Sequence, residues 1–296
     1  MNEKRALFFG LAAVILWSTV ATAFKLTLAV FTPVQMLVIA GVTSSCVLLI
    51  LCFIQGKATD IIPTFLAQPA SFILSGLINP LGYYLILFKA YALLPASQAQ
   101  AINYSWAITL TIMAAIFLRQ PIRHKDYLAA AICYLGVLVI ATQGNLLTLH
   151  FQSPAGVGLA LLSTLLWSGY WILNTKNKAD PIISILLGFL VALPLMITLA
   201  CYEQADWTTQ HLSGWLSAVY IGVFEMGITF FLWISALRLT QNTSRISNLI
   251  FISPFLSLIF LATIIHEPIH ISTVVGLVII ITGLIIQQYQ KKRKKH

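Results

Sequence analysis

Charge is what this sequence has least of. Lys and Arg number 17 and Asp and Glu 8, together 8% of 296 residues, where a soluble domain carries about 25%. So few charges cannot cover a water-facing surface, which excludes a soluble globule. Cysteine is scarce as well. Cys46, Cys52, Cys133 and Cys201 all sit in apolar runs, without the spacing of a metal site or a disulfide framework. No P-loop is present, so nothing points to nucleotide hydrolysis, and no cofactor or metal is called for. Long polar stretches are missing too, so no soluble domain is inserted between apolar runs. What is there is hydrophobic: 59% of the residues, with a mean hydropathy of +0.92. That is the composition of membrane-spanning helices.

A span needs roughly 20 mostly apolar residues. The chain offers ten such segments, at 6–28, 33–54, 70–93, 97–118, 127–145, 155–175, 182–202, 212–235, 243–265 and 271–289. The breaks fall at turn-forming pieces such as FTP, LLPAS, RQPIRHKD and HEPIH. Charge tests this count. With Lys4 and Arg5 placed in the cytoplasm, alternate loops put Lys57, Arg119, Arg123, Lys125, Lys176, Lys178, Arg238 and the tail KKRKK at 291–295 on the same side. The opposite loops carry Glu203, Asp206 and Glu267 and no Lys or Arg. This is the positive-inside pattern, and shifting any span would scramble it. The net charge of +9 therefore reads as membrane anchoring near anionic lipid and not as a nucleic-acid surface. Lys4-Arg5, an apolar run and then Ala21-Thr22-Ala23 also resemble a cleavable signal peptide. An internal repeat argues against cleavage, because it would remove half of a matched pair.

The repeat shows in five ordered matches. Trp17-Ser18 pairs with Trp167-Ser168, Pro33 with Pro181, and Ala92-Leu93 with Ala236-Leu237. RQPI at 119–122 pairs with HEPI at 266–269, and Gly136 with Gly283, each 15 residues past its proline. The offset stays between 144 and 150. The expected domains are thus a first five-helix repeat at 1–145, a second at 155–290 and a basic cytoplasmic tail at 291–296. Five is odd, so the second copy enters from the other side of the membrane. The expected fold is all-α and integral to the membrane: ten transmembrane helices in two inverted repeats, with N- and C-termini cytoplasmic. Inverted repeats recur in secondary transporters, whose substrate sites lie at the repeat interface near mid-membrane.

The stretch WSTVATAFK, with Trp17 followed eight positions later by Lys25, resembles the first-span signature of the drug/metabolite transporter superfamily, EamA type. That family closes its fourth and ninth spans on an acid before a short turn. Glu267-Pro268 matches, whereas Gln120-Pro121 lacks the acid. INYSWA at 102–107 is similar to the Asn-Tyr-x-Trp-Pro stretch of the aromatic amino-acid exporter branch: Asn103, Tyr104 and Trp106 fit, and Ala107 replaces the proline. The resemblance covers the whole chain. It implies alternating access by rocking of the two halves, with spans 1, 3, 4, 6, 8 and 9 along the path.

Four ionisable groups lie inside spans: Lys25, Lys89, Glu225 and Arg245. Each costs about 2.5–3.5 kcal/mol at a helix centre on insertion scales, so such groups face a cavity or a partner. Lys25, Lys89 and Arg245 lie toward span ends, where snorkelling to the interface is the competing reading. Glu225, near the middle of span eight, reaches neither interface and is the candidate for carrying a proton as coupling ion. Helical spacing places Ser18, Thr22 and Lys25 on one face. It does the same for Gln100, Asn103, Ala107 and Thr111, for Ser163, Trp167, Tyr170 and Asn174, and for Glu225, Thr229 and Trp233. Helix-to-helix bonding is the plainer reading of the single Ser and Thr residues. Asn79-Pro80 and Pro254 interrupt spans three and nine, and Tyr83 is one turn past Asn79. The candidate substrate-binding set is Trp17, Ser18, Lys25, Asn79, Tyr83, Lys89, Asn103, Trp106, Trp167, Tyr170, Asn174, Glu225 and Asn248. Two ammonium groups, one carboxyl, amides and rings suit a zwitterion such as an amino acid. Organic cations, drugs and choline-like compounds form the alternative cargo class.

An enzyme would need a nucleophile–base pair or a metal cluster at membrane depth. The six histidines, His124, His150, His211, His266, His270 and His296, are in loops or the tail. His266-Glu267-x-x-His270 departs from the zinc helix motif, with Glu267 already accounted for by the repeat and Pro268 opposing a helix. The expected partners are a small-molecule substrate, the lipid bilayer and protons. Nucleic acid is not among them, and a monomer is compatible with the pattern. The expected location is a bacterial inner membrane. Substrate, direction and coupling ion stay open in the sequence.

Overall fold

Pro33 and Pro181 each sit at the first turn of a helix, where their missing N–H leaves no bond unmade. Thr32 caps the first through a reciprocal pair with Gln35, at 3.2 and 2.8 Å. Asp180 caps the second by accepting from the Ile182 N–H at 3.0 Å. The chain is described here by a computed structural model covering residues 2–147, 151, 153–174, 177–208, 211–241, 246 and 248–288. These residues form helices and connecting turns, with no strand among them.

The helices are α1 (Glu3–Leu28), α2 (Pro33–Ile54), α3 (Pro69–Leu93), α4 (Ala96–Leu118), α5 (His124–Ala141), α6 (Pro154–Asn174), α7 (Pro181–Tyr202), α8 (Leu212–Leu239), α9 (Asn248–Ile264) and α10 (Ile271–Gln288). Among the described residues, nine are long and apolar enough to cross a membrane, and α9 is a shorter apolar helix. The chain is a multi-pass membrane protein. The start of the expected ninth span, with Arg245, lies outside the described residues, as do Lys176, His150, His296 and the tail 291–296. Four boundaries differ from expectation by three or four residues: α1 starts at Glu3 and not at 6, α5 spans 124–141 and not 127–145, and α8 ends at Leu239 and not at 235. α5 starts three residues early, where the Asp126 carboxylate accepts from the Arg123 N–H at 2.9 Å. α8 runs on to Leu239 because its apolar pattern continues to Thr240. A short helical stretch at Ala58–Ala67, not expected from the sequence, presents Ile62 and Leu66 outward.

The pairing of helices follows a regular scheme. α1 packs on α8 and α9, and α6 packs on α3 and α4. α2 packs on α8, and α7 on α3. α2 pairs with α7, and α5 with α10. Adding five to each member of a pair returns another pair of the set. The closest approaches obey the same rule. A Cβ on Gly76 of α3 would meet the Gly188 carbonyl of α7 at 2.6 Å, and one on Gly222 of α8 would meet the Ala40 carbonyl of α2 at 2.5 Å. α5 and α10 touch through Gly136 and Gly276, where a Cβ on the former would lie 2.6 Å from the latter's carbonyl oxygen. Backbone approach this tight favours small residues in apolar surroundings, where dispersion holds helices together.

The irregular backbone recurs too. The widened turn at Leu77–Gly82 in α3, with Asn79 at φ −145° and ψ 118°, starts 144 residues before the widened turn at Ile221–Ile228 in α8. α4 tightens at Tyr104-Ser105, so the expected polar stripe from Gln100 to Thr111 is not one continuous face. α9 changes from a 3-10 turn to α-helix at Ser253, which puts Pro254 in the first α-turn. α4 and α9 end alike, at Arg119 and His266, both in the left-handed region at φ 53°. Residues 266–270 are not helical, so His266 and His270 do not present one helix face to a metal.

Candidate functional site

The two Trp-Ser pairs show how the centre is built. Burial along Ala13–Val20 repeats position by position along Ser163–Tyr170. Ser18 is fully buried. Its hydroxyl donates to the Val14 carbonyl at 2.6 Å and to Ser253 Oγ, at the break in α9, at 3.2 Å. Ser168 donates to the Trp106 carbonyl, at the break in α4, at 3.1 Å. Each serine therefore ties its helix to an interruption in the other half of the chain. The tryptophan before each serine stays half-buried and meets the same ring: Phe230 of α8 lies 5.7 Å from Trp17 and 6.3 Å from Trp167. The two tryptophans, matched in the sequence repeat, meet through Phe230.

Around that bridge the rings are continuous. Trp233 lies 5.4 Å from Trp17. Trp167 lies 4.7 Å from Tyr83, 5.8 Å from Tyr170 and 6.4 Å from Trp106. Amides fill the gaps. The Asn103 side chain donates to Ser163 Oγ at 2.9 Å and is within bonding reach of the Tyr83 hydroxyl. Asn79 and Asn174 both reach the Tyr170 hydroxyl. Glu225 lies in the widened turn of α8 and accepts from the Tyr84 hydroxyl at 3.3 Å. Trp17, Asn79, Tyr83, Asn103, Trp106, Trp167, Tyr170, Asn174 and Glu225 thus share one region, contributed by α1, α3, α4, α6 and α8.

Three of the expected residues lie elsewhere. Lys25 points to the turn between α3 and α4, where its ammonium donates to the carbonyls of Tyr91 and Leu94 at 2.8 Å each. Glu267 reaches the same turn from beyond α9 and accepts from the N–H groups of Ala96 and Ser97 at 2.9 Å. The lysine satisfies the end of α3 and the glutamate the start of α4, each with the charge that the helix dipole favours. Lys89 is exposed, on the face it shares with the exposed Leu93. Asn248 is exposed, and its neighbour Leu249 packs over Gly10, two turns of α1 from Trp17. The sequence reading missed Phe230 and Tyr84. Phe230 is one of 17 phenylalanines and carries no signal of its own. Tyr84 was legible only as the second half of a Tyr-Tyr pair just past the Asn-Pro break.

The opposite end of the bundle has its own ties. Lys57, beyond α2, bonds the Asp180 carboxylate at the start of α7 at 2.7 Å. Burial pushes the Asp180 carboxyl up, but Lys57 and the N–H groups of Ile182 and Ile183 outweigh it and hold it below the ordinary range. A cavity lies beside this pair, lined by Gln55, Lys57, Asp180, Phe231, Ile234 and Arg238 among others. At the Lys25 end, the matching gap between α2 and α7 is bridged by Gln35, whose side chain donates to the Asp206 carbonyl.

The EamA-like transporter family model matches this chain twice, over residues 4–142 and 154–287. The chain belongs to that family. Among its EamA-like relatives is a protein of Ancylobacter novellus named aromatic amino acid exporter YddG, 25% identical over 79% of each chain. The uncharacterized transporter YoaV of Bacillus subtilis is 24% identical over 84% of each chain. Protein PecM of Dickeya dadantii is 25% identical, over 72% of this chain and 71% of its own. A solved crystal structure shares the fold at a TM-score of 0.67, covering 97% of both chains at 20% identity. With relatives named as transporters, the EamA-like chain is a membrane transporter.

Proposed function

We propose that this protein is a secondary carrier that exports a small amine-bearing metabolite, an amino acid first, by alternating access of two inverted five-helix repeats. The observation that carries the reading is the ring-and-amide cluster around Glu225. It is built from both halves of the chain at the level of their widened turns, where carrier sites are found. The twofold match to one family model, the helix pairing that returns on adding five, and the matched left-handed residues 119 and 266 support two repeats of five spans each. An odd number of spans per repeat makes the two inverted, and the distribution of Lys and Arg favours cytoplasmic termini in a bacterial inner membrane. The name of the Ancylobacter relative favours export and aromatic cargo. The family, and a site without nucleophile–base geometry, favour transport alone over enzymatic activity. Protons are the proposed coupling ion, exchanged at Glu225.

Counterflow in proteoliposomes is the test. Vesicles preloaded with an unlabelled aromatic amino acid should show saturable, counterflow-stimulated uptake of the labelled one. Movement of none of the twenty amino acids ends the amino-acid reading, and flux that does not saturate points to a channel instead. Glu225→Gln should remove any dependence on a pH gradient, and an unchanged dependence takes Glu225 out of that role.

A further inference from the structure

A zwitterion would set its carboxylate on Lys25 or Lys89 and its ammonium on Glu225 or an aromatic face. The structure separates these roles. We infer that the site reads the ammonium and the ring of its cargo and, among the described residues, offers no cation to a carboxylate, so that aromatic monoamines bind more tightly than the matching amino acids. This rests on the carrier reading above and specifies its site.

The argument is a count of unused donors and acceptors. A carboxylate offers about four acceptor positions, and among the described residues Glu225 has one hydrogen-bond donor, Tyr84, at a long 3.3 Å. Asn79 is 9% exposed, and its side-chain oxygen has no hydrogen-bond partner. The site therefore presents acceptors. Its charged donors lie elsewhere: the Lys25 ammonium is held by two carbonyls beside Glu267, while the Tyr84 hydrogen goes to Glu225 and one Asn103 N–H to Ser163, which leaves neutral indole and amide N–H groups as the remaining donors. Lys89 faces away. Among the described residues, no Lys or Arg side chain joins the cluster.

Ring faces complete the preference. Trp17, Trp167 and Phe230 are half-buried, and each tryptophan ring lies within 6.3 Å of the Phe230 ring. Faces so placed attract a cation and stack on a cargo ring. An ammonium against Glu225 compensates a carboxylate that is costly to hold alone inside the membrane. A second carboxylate brought by an amino acid would add a like charge with no cation among the described residues to receive it.

The test is a matched ligand series on the full chain in nanodiscs: phenethylamine, phenylalanine and 3-phenylpropionate, with binding read by quenching of intrinsic tryptophan fluorescence. Phenethylamine should bind at least about tenfold tighter than phenylalanine, a difference on the scale of one charge-assisted contact, and 3-phenylpropionate should not compete. Glu225→Gln should bring the amine and the amino acid to nearly equal affinity. Should that variant fail to fold, Glu225→Asp takes its place and should bind all amines more weakly while keeping the order of the series. Phenylalanine or 3-phenylpropionate binding as tightly as the amine overturns the inference, and would reveal a cation, with Arg245 the first suspect. A tenfold amine preference that survives Glu225→Gln overturns it as well, as does failure of all three to bind at millimolar concentration. Failure of the carrier reading is seen separately: the binding order then holds while counterflow is absent.

Discussion

Under the carrier reading, Lys25 is a latch, and Lys25→Met tests this by keeping the chain length and removing the charge. Hydrogen bonds from a charged donor contribute about 1.5–3 kcal/mol each. Lys25 is only half-buried, so the lower figure applies to its two bonds at 2.8 Å, about 3 kcal/mol in all. Relief of partly desolvating the ammonium offsets about 1 kcal/mol of this. The remaining ~2 kcal/mol corresponds to a roughly thirtyfold shift toward the state in which the α3–α4 turn is free. Ser97 reports that shift. It is buried at this turn, and its hydroxyl has no partner to lose. With Cys46, Cys52, Cys133 and Cys201 replaced, Ser97→Cys in detergent should react with a maleimide about thirtyfold faster when Lys25→Met is added. Lys25→Arg, which keeps a cation on the carbonyls, should stay within a few-fold of the parent. Unchanged labelling combined with a lowered melting temperature would refute the latch and leave Lys25 a static helix anchor.

Three further outcomes follow from the contacts. The Glu3 carboxylate bonds the Thr240 hydroxyl at 3.1 Å and the Gln241 N–H, so Glu3→Gln should act opposite to Lys25→Met and slow labelling of Ser97→Cys about two- to fivefold, given about 0.5–1 kcal/mol for a partly exposed contact; faster labelling contradicts this. Gly136→Leu should lower stability by about 1–3 kcal/mol through overpacking, since even its Cβ would lie 2.6 Å from the Gly276 carbonyl oxygen; an unchanged melting curve would mean that α5 and α10 pack differently. Asp180→Asn should cost about 0.5–1 kcal/mol at pH 7 for a half-exposed pair. Because the folded Asp180 carboxyl titrates below its unfolded counterpart, that contribution is full above the ordinary carboxylate range and is lost as pH falls through it, so the melting difference from the parent should shrink below about pH 4; a difference that grows there would reverse the assignment.

How much of this was legible in the sequence depends on whether a feature leaves a mark in side-chain type. The helix limits were legible because prolines, glycines and charge runs punctuate apolar stretches. So were the break at Asn79-Pro80 and the set Trp17, Trp167, Tyr83, Tyr170 and Asn103, which stand out as polar or aromatic groups at helical spacing. The widened turn at Ile221–Ile228 was not, because it contains no proline. Nor were the partners of Lys25: backbone carbonyls are present at every position and carry no sequence signature. Glu267 was placed by the repeat and by family resemblance, yet its acceptance from Ala96 and Ser97 depends on two segments about 170 residues apart.

The sequence repeat is symmetric and the structure breaks that symmetry in one place. Gln120 stands where the other half has Glu267, so the turn between α8 and α9 receives no carboxylate from the end of α4. The start of α1 holds that turn instead: the Asn2 N–H donates to the Leu239 carbonyl at 3.1 Å, and Glu3 binds Thr240 and Gln241. α1 therefore carries both clamps, Asn2 and Glu3 at one end and Lys25 at the other, on a single helix of 26 residues. A helix of that length is rigid over about 39 Å, so the two turns cannot both be released while α1 keeps its place. Under the carrier reading, rocking of one half against the other would free the turn at one end of α1 while the other end stays clamped. On that reading Lys25 is at the end of α1 and not beside Trp17 because its charge acts on the turn, and among the described residues Glu225 is the one Asp, Glu, Lys or Arg side chain that joins the ring cluster.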